Sequence, residues 1–187
     1  MANCFIILAG GESKRFKSKT PKPYIFYKGK PLICHSVDKA KESKKFKKIV
    51  IVINKKHKKF INNLNLKNVK IVNGGKTRAE SSYKSLLSIK KTKVSNVLIH
   101  DAARPNFSIK LLNKIIKELK YNKCVVPAIK TNDSVKLKSK NKISNLIRKN
   151  VYLTQTPQGF NYIKLLKLQK DKSSNVTDDA NLFISKN

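Results

Sequence analysis

Cys4-Phe5-Ile6-Ile7-Leu8-Ala9-Gly10-Gly11-Glu12-Ser13-Lys14-Arg15 is the stretch on which the fold turns. Its first six residues are all apolar, rather than apolar at every second position. That pattern fits a short strand buried on both faces, as in a parallel sheet. The strand runs straight into paired glycines, which let backbone N–H groups approach an anionic ligand with no Cβ in the way. The spacing is neither the GxxxxGK[ST] phosphate loop nor the GxGxxG dinucleotide fingerprint. Taken alone, Gly10-Gly11 is equally well a plain tight turn.

Outward from this strand, apolar runs alternate with helical spacing. Leu32–Lys41 has helical periodicity. Ile49–Ile53 is β-branched throughout and reads as a strand. His57–Leu64 reads as a short helix. Val69–Val72 reads as a strand closed by Gly74-Gly75. Ala79–Ile89 and Ile109–Leu119 read as helices, and Val97–His100 and Cys124–Ile129 as strands. Strands separated by helices of this length imply parallel βαβ units. The predicted fold class is α/β, a three-layer doubly wound, mostly parallel sheet. Ligands of such sheets bind beyond the carboxyl ends of the strands, where strand order reverses. Polar segments do follow the strands directly: the glycine loop the first, Gly74–Arg78 the third, Asp101–Arg104 the fourth. Thr131–Asn150 breaks the rhythm with polar, lysine-rich, weakly alternating sequence. It is either a disordered insertion or a β-arm packing on another subunit. Tyr152–Thr156 resumes as an extended segment, and Thr177-Asp178-Asp179-Ala180 reads as a helix start.

The 187 residues suffice for one domain with a sizeable core, and 40% of them are hydrophobic. No apolar run approaches the roughly 20 residues that cross a bilayer, and no secretory signal opens the chain, so the expected compartment is the cytoplasm. Cys4, Cys34 and Cys124 form no CxxC pair and read as buried free thiols of a reducing compartment. The formal net charge is +33, from 43 basic and 10 acidic residues. That charge raises a non-catalytic, nucleic-acid-binding module as an alternative. The lysines are dispersed, however, and the only arginines are Arg15, Arg78, Arg104 and Arg148. Arginine is the residue that reads phosphates and guanine edges as a fork. A solvated lysine coat is the expectation, with no nucleic-acid partner. Where lysine serves every generic need for charge, the four arginines mark places where it does not suffice.

Ala9-Gly10-Gly11 followed by Arg15, with Pro21-Lys22-Pro23 beyond, resembles the signature of sugar-phosphate nucleotidyltransferases. Four later segments narrow the likeness: Gly74-Gly75 with Arg78-Ala79-Glu80-Ser81, His100-Asp101-Ala102-Ala103-Arg104-Pro105, Thr154-Gln155-Thr156-Pro157-Gln158 and Thr177-Asp178-Asp179-Ala180. Together they resemble the 2-C-methyl-D-erythritol 4-phosphate cytidylyltransferase family, from about residue 4 to residue 183. The resemblance implies a Rossmann-like nucleotidyltransferase fold and a homodimer in which 131–150 is the dimerisation arm. It implies transfer of CMP from CTP, with Mg2+, to a sugar-alcohol phosphate in non-mevalonate isoprenoid precursor synthesis. Arg15 and Lys22 match the positions that stabilise the transition state. Ala9, Gly10, Gly11, Gly75, Arg78, Ser81 and Ala102 match nucleotide-binding positions. Asp101, Arg104, Ser134, Thr156 and Thr177 match substrate-side positions, Asp101 being also the one candidate metal contact. Arg148 matches an arginine that reaches the substrate from the partner subunit.

These roles are chemically coherent. Phosphoryl transfer needs reactants held in line and fixed cations against the developing charge. A phosphate dianion is already nucleophilic, so no general base is needed, and His100 reads as structural. Asp101, Asp178 and Asp179 can each be a helix cap instead, and Arg104 a structural partner of a carboxylate. Lys76 stands where an acid is common in the family, and Ser134 where a threonine is. Nothing here matches the family's final strand and Asn-x-Lys-x-Thr segment, so the expectation is a fragment, half of a bifunctional chain, or a naturally short protein. A ribitol 5-phosphate cytidylyltransferase is the neighbouring alternative.

Overall fold

The computed structural model describes residues 2–12, 16, 18–171 and 178–184. In chain order its elements are β1 (Asn3–Ala9), β2 (Phe26–Tyr27), β3 (Lys30–Pro31), α1 (Leu32–Glu42), β4 (Phe46–Ile53), α2 (Lys58–Asn62), β5 (Lys70–Asn73), α3 (Arg78–Ser88), β6 (Asn96–Asp101), α4 (Ile109–Glu118), β7 (Cys124–Val125), β8 (Ala128–Lys130), β9 (Lys136–Ser139), β10 (Lys142–Asn145), β11 (Tyr152–Thr154), β12 (Gln158–Asn161) and α5 (Tyr162–Asp171). Short 3-10 turns at Lys22–Tyr24, Arg148–Asn150 and Asp179–Leu182 complete the parts used below.

The central sheet has six strands in the order β5-β4-β1-β6-β12-β7. β5, β4, β1 and β6 run parallel. β12 is antiparallel to both its neighbours, β6 and β7. Side chains alternate across the sheet, which divides the core in two. Phe5, Ile7, Ile51 and Leu98 face Ile33, Val37, Leu112 and Ile115 of α1 and α4. Cys4, Ile6, Val52 and Ile99 face Leu86, Tyr162 and Leu165 on the α3 and α5 side. This is the three-layer doubly wound architecture that the alternation of runs predicts.

Two strand assignments differ from the expectation. Cys124–Ile129 is not one strand. Pro127 has no N–H to donate, so the ladder stops there. β7 stays in the main sheet, and β8 leaves it to pair with β11. The strand that fills the gap, β12, carries Gln158-Gly159-Phe160-Asn161 and offers no β-branched or alternating signal. What admits it is close approach. A Cβ on Gly159 would stand 2.5 Å from Ile115 Cγ2 and 2.9 Å from Leu119 Cδ1. Helix α4 therefore lies directly on this strand because residue 159 has no side chain.

Of the two readings of Thr131–Asn150, an ordered β-arm is the one observed. β9 and β10 form an antiparallel hairpin whose residues are all exposed. Lys140 turns it at φ 49°, the left-handed conformation that two-residue hairpin loops demand. The three cysteines are free. Cys4 is buried, and Cys34 and Cys124 are half-buried. Burial pushes the Cys4 thiol up to about 12 and the Cys124 thiol up to about 11, so neither is a thiolate at neutral pH. Among the described residues no helix is long and apolar enough to cross a membrane.

Gly159→Ala must overpack the α4–β12 contact, at a cost of about 1–3 kcal/mol. Gly11→Ala meets no protein atom within 4 Å. Thermal unfolding should show a lowered midpoint for the first variant and an unchanged one for the second.

Candidate active site

The chain leaves β1 for β4 and β5 on one side, then crosses back to β6 on the other. Strand order reverses between β1 and β6, so the loops at their carboxyl ends diverge and leave a crevice. A cavity of about 990 Å³ fills that crevice, with room for a nucleotide. Its floor is Ala9, Gly10 and Gly11. Lys22 and Pro23 form one wall, Gly75–Arg78 and Ser81 a second, and Asp101–Arg104 a third.

Each wall is held by local chemistry. Lys22 stands on a 3-10 turn whose neighbours Pro21 and Pro23 fix the backbone, and Tyr24 N–H donates to Pro21 O at 2.9 Å. Buried Tyr24 anchors that turn by stacking on Phe60 at 5.2 Å and meeting His57 edge-on at 5.8 Å. Burial pushes the Tyr24 hydroxyl up to about 12. The Lys22 ammonium lies 5.9 Å from the Phe16 ring centroid, within cation–π range. On the second wall Gly74 N–H donates to Ile53 O at 2.8 Å. A Cβ on Gly74 would lie 2.7 Å from Ser81 Oγ. That hydroxyl accepts the Gly75 N–H at 3.0 Å, so Ser81 shapes the turn from beneath. Thr77 caps α3 by accepting the Glu80 N–H at 3.0 Å, and Glu80 reaches back to the Lys76 N–H at 2.7 Å. The pattern is close to a capping box, but the acid reaches the residue before the cap instead of the cap itself, which ties the first turn of α3 to the loop that precedes it. Hydrogen bonds to Lys84 and to the Lys76 backbone hold the Glu80 carboxyl below its usual range.

The third wall carries the charges. Asp101 Oδ2 lies 3.4 Å from Arg104 Nε, and Asp101 Oδ1 lies 3.7 Å from Arg78 Nε. Arg104 also donates to Gln155 Oε1 at 3.2 Å. Arg78 is turned mostly to a deeper partner, Asp179, at 2.6 Å. Burial alone would lower the Arg78 pKa, and Asp179 and then Asp101 more than offset it, so the guanidinium stays charged. Among the described residues the cavity presents Lys22, Lys76, Arg78 and Arg104 against Glu12 and Asp101. Such a balance attracts an anionic ligand.

The residues nominated from sequence divide clearly. Ala9, Gly10, Gly11, Lys22, Gly75, Arg78, Ser81, Asp101, Ala102 and Arg104 come together around the cavity. Thr156 does not line it. Its Oγ1 sits behind the wall, 3.0 Å from His100 Nδ1, and accepts the Asp101 N–H at 3.4 Å. Ser134 and Arg148 lie on the exposed arm, away from this chain's own cavity, and Arg148 donates to Asn132 O at 3.0 Å. Arg15 and Thr177 lie outside the described residues. Thr177-Asp178-Asp179-Ala180 was expected to begin a helix. Its described part is a 3-10 turn, in which Asp178 accepts the Ala180 N–H as cap while Asp179 points to Arg78. Asn54, at the carboxyl end of β4, lines the cavity and was missed. The rule that polar residues follow the strands would have found it had it been applied to the second strand too. Glu12, Phe16 and Lys76 also line it: Lys76 stood out in the sequence only as a departure from the family's acid, and neither a glutamate nor a phenylalanine marks a phosphate site alone.

His100 is fully buried in β6, edge-on to Phe107 at 4.5 Å. Burial lowers its pKa to about 3. It is neutral at pH 7 and faces the core rather than the cavity, as a structural histidine should.

The family model for 2-C-methyl-D-erythritol 4-phosphate cytidylyltransferase matches residues 3–185. The chain is 66% identical over 184 residues to the bifunctional enzyme IspD/IspF of Pelagibacter ubique, covering 98% of this chain and 50% of that protein. It is 34% identical to the 2-C-methyl-D-erythritol 4-phosphate cytidylyltransferase of Shouchella clausii, covering 95% of this chain and 80% of the relative. The chain therefore spans half the length of the bifunctional relative. Among solved structures, 4-diphosphocytidyl-2C-methyl-D-erythritol synthase of Anaerococcus prevotii superposes with a TM-score of 0.82 at 28% identity, over 97% of this chain and 82% of that one. The bifunctional IspDF of Campylobacter jejuni superposes with a TM-score of 0.84 at 30% identity, over 97% of this chain and 46% of that one.

The His100 proton gives a pH test. Its folded pKa of about 3 lies below the ordinary 6.5, so the unfolded chain takes up the proton first. The stability that depends on neutral His100 is present above about pH 6.5 and is lost as pH falls toward 3, by up to about 1.4 kcal/mol per pH unit. Urea unfolding across that window should show a shallower pH slope for His100→Gln than for the wild type.

Proposed function

Because this chain belongs to the 2-C-methyl-D-erythritol 4-phosphate cytidylyltransferase family, we propose that it transfers CMP from CTP to 2-C-methyl-D-erythritol 4-phosphate in the cytoplasm, releasing pyrophosphate. The observation that carries this reading is the cavity at the strand-order reversal, with bare glycine backbone and Lys22 on one side and Asp101 and Arg104 on the other. The triphosphate lies over Gly10 and Gly11, whose missing side chains leave their backbone open to it. The cytosine sits against the Gly75 turn that Ser81 holds. A phosphate oxygen of the acceptor forms a bond to the α-phosphorus as the bond to the bridging oxygen breaks. The electron pair leaves with pyrophosphate, and no proton has to move first. Lys22, on its proline-fixed turn, meets the developing charge without having to reorganise. Arg15 shares this role by its position in the motif.

Mg2+ fits the donor set. Among the described residues no cluster of acids, histidines or cysteines could hold a metal unaided. Magnesium in nucleotide sites is commonly bound by one carboxylate plus substrate phosphates, and Asp101 is a partly exposed carboxylate on the cavity wall. When bound, the ion neutralises phosphate charge. Asp101 would hold it on the protein side.

The arm supports a homodimer. Leu137, Ile143, Ile147, Tyr152 and Leu153 are large, apolar and exposed on or beside it, and such patches mark subunit contacts. Arg148 and Ser134 on that arm then serve the partner's cavity.

Lys22→Ala should lower kcat by about a hundred- to a thousand-fold, with the unfolding midpoint unchanged. Pyrophosphate release from CTP and 2-C-methyl-D-erythritol 4-phosphate measures it, and faster release with ribitol 5-phosphate would contradict the choice of acceptor. Arg148→Ala should raise KM for the sugar phosphate and leave KM for CTP unchanged. Mixing the Lys22→Ala and Arg148→Ala proteins should restore activity, because a heterodimer keeps one intact site. No gain on mixing would contradict the shared site.

A further inference from the structure

Asp179 lies 101 residues beyond Arg78 in sequence, far from every strand end that forms the cavity, yet it is 2% exposed and fully engaged. Its Oδ2 accepts from Arg78 Nη1 at 2.6 Å, and its Oδ1 accepts from Gln169 Nε2 at 2.6 Å. Gln169 Nε2 also lies 2.9 Å from the buried Ser82 hydroxyl, which ties the group to α3 and α5. The turn that carries Asp179 is itself pinned. Asp178 accepts from Gln158 Nε2 at 2.9 Å, Ala180 and Leu182 join the core, and Phe183 stacks on Phe160 at 5.5 Å. A buried carboxylate is costly unless charge and hydrogen bonds compensate it. Here the compensation comes from Arg78, a cavity-wall arginine whose Nε also faces Asp101 Oδ1.

We propose that Asp179 is a positioning residue for the transfer reaction: by gripping Arg78 from behind, it keeps that guanidinium from closing onto Asp101 Oδ1, the oxygen that Arg104 does not face, and so keeps that oxygen available at the cavity wall. The inference rests on the proposed cytidylyl transfer. It changes the role of Arg78 from a nucleotide contact to a strut between two carboxylates, and it makes the Asp178–Leu182 turn a part of the site. At 3.7 Å, Arg78 Nε is outside direct hydrogen-bond range of Asp101, while Nη1 at 2.6 Å is firmly bonded to Asp179. Without Asp179 the nearest anion left for Arg78 is Asp101, and the two would collapse into a direct pair. Lysine could not replace the arginine here, because only a planar fork addresses two carboxylates in different directions.

The test is steady-state kinetics of pyrophosphate release for the full chain, with Asp179→Asn, Arg78→Lys and the double variant Arg78→Met/Asp179→Asn, each assayed below its unfolding midpoint. Misplacing a site group by about 1 Å costs up to about a hundredfold. Asp179→Asn and Arg78→Lys should therefore lose roughly tenfold to a hundredfold in kcat/KM for CTP while folded. The double variant removes the arginine that collapses onto Asp101, so it should be no worse than Asp179→Asn alone. Wild-type kcat/KM in both folded single variants, or a double variant clearly worse than Asp179→Asn alone, would overturn the inference. The wild type is the control for the underlying activity. If it releases no pyrophosphate, the proposed reaction fails. If it turns over normally beside an unimpaired Asp179→Asn protein, only the positioning role fails.

Discussion

The structure depends on where β1 ends. This strand lies between β4 and β6, is parallel to both, and stops at Ala9 just where the loops on either side diverge. The strand stays paired through Leu8 with Asp101 and Ala9 with Ile53, and the backbone that follows it lines a crevice. Gly10 and Gly11 follow, and no protein atom crowds a Cβ at Gly11. The fold does not require glycine there, since neither φ is positive. The proposed triphosphate contact, which needs bare backbone, accounts for it. The lysine turn, the Gly75 turn and the Asp101 wall are arranged around that one strand end, each fixed from behind by prolines, helix-cap hydrogen bonds or buried aromatic rings.

Much of this was legible because buried parallel strands announce themselves as unbroken apolar runs and because their polar successors fall at the same sheet edge. Cys4–Ala9, Ile49–Ile53 and Val97–His100 are such runs, and the ends of β1 and β6 carry the site. The unreadable parts are tertiary decisions. β12 exists because Gly159 lets α4 approach, a fact about Ile115 and Leu119 rather than about residues 158–161. The split of Cys124–Ile129 was foreseeable from Pro127. Asp179 could be read as a cap, but its pairing with Arg78 spans 101 residues, more than half of the chain, and local spacing carries no trace of it. Thr156 shows a second limit: a motif position names the residue, but its hydroxyl contacts, to His100 and to the backbone of Asp101, are visible only in the fold.

The uneven use of cations has a physical reading. Lysine supplies nearly all of the formal charge of +33, mostly on solvated faces where only sign matters. Each described arginine makes directed contacts. Arg78 divides itself between Asp179 and Asp101, Arg104 between Asp101 and Gln155, and Arg148 bonds the Asn132 carbonyl at the base of the arm. A guanidinium presents several N–H groups in fixed directions and an ammonium does not. In a chain this rich in lysine, arginine marks geometry.

The most direct measurement of the central claim is a crystal structure of the protein with CTP and magnesium. The expected result is a triphosphate lying along the Gly10–Gly11 backbone within hydrogen-bond reach of the Lys22 ammonium, with the cytosine against the Gly75 turn. Nucleotide bound elsewhere on the surface, or in the crevice with Lys22 directed into solvent, would contradict it.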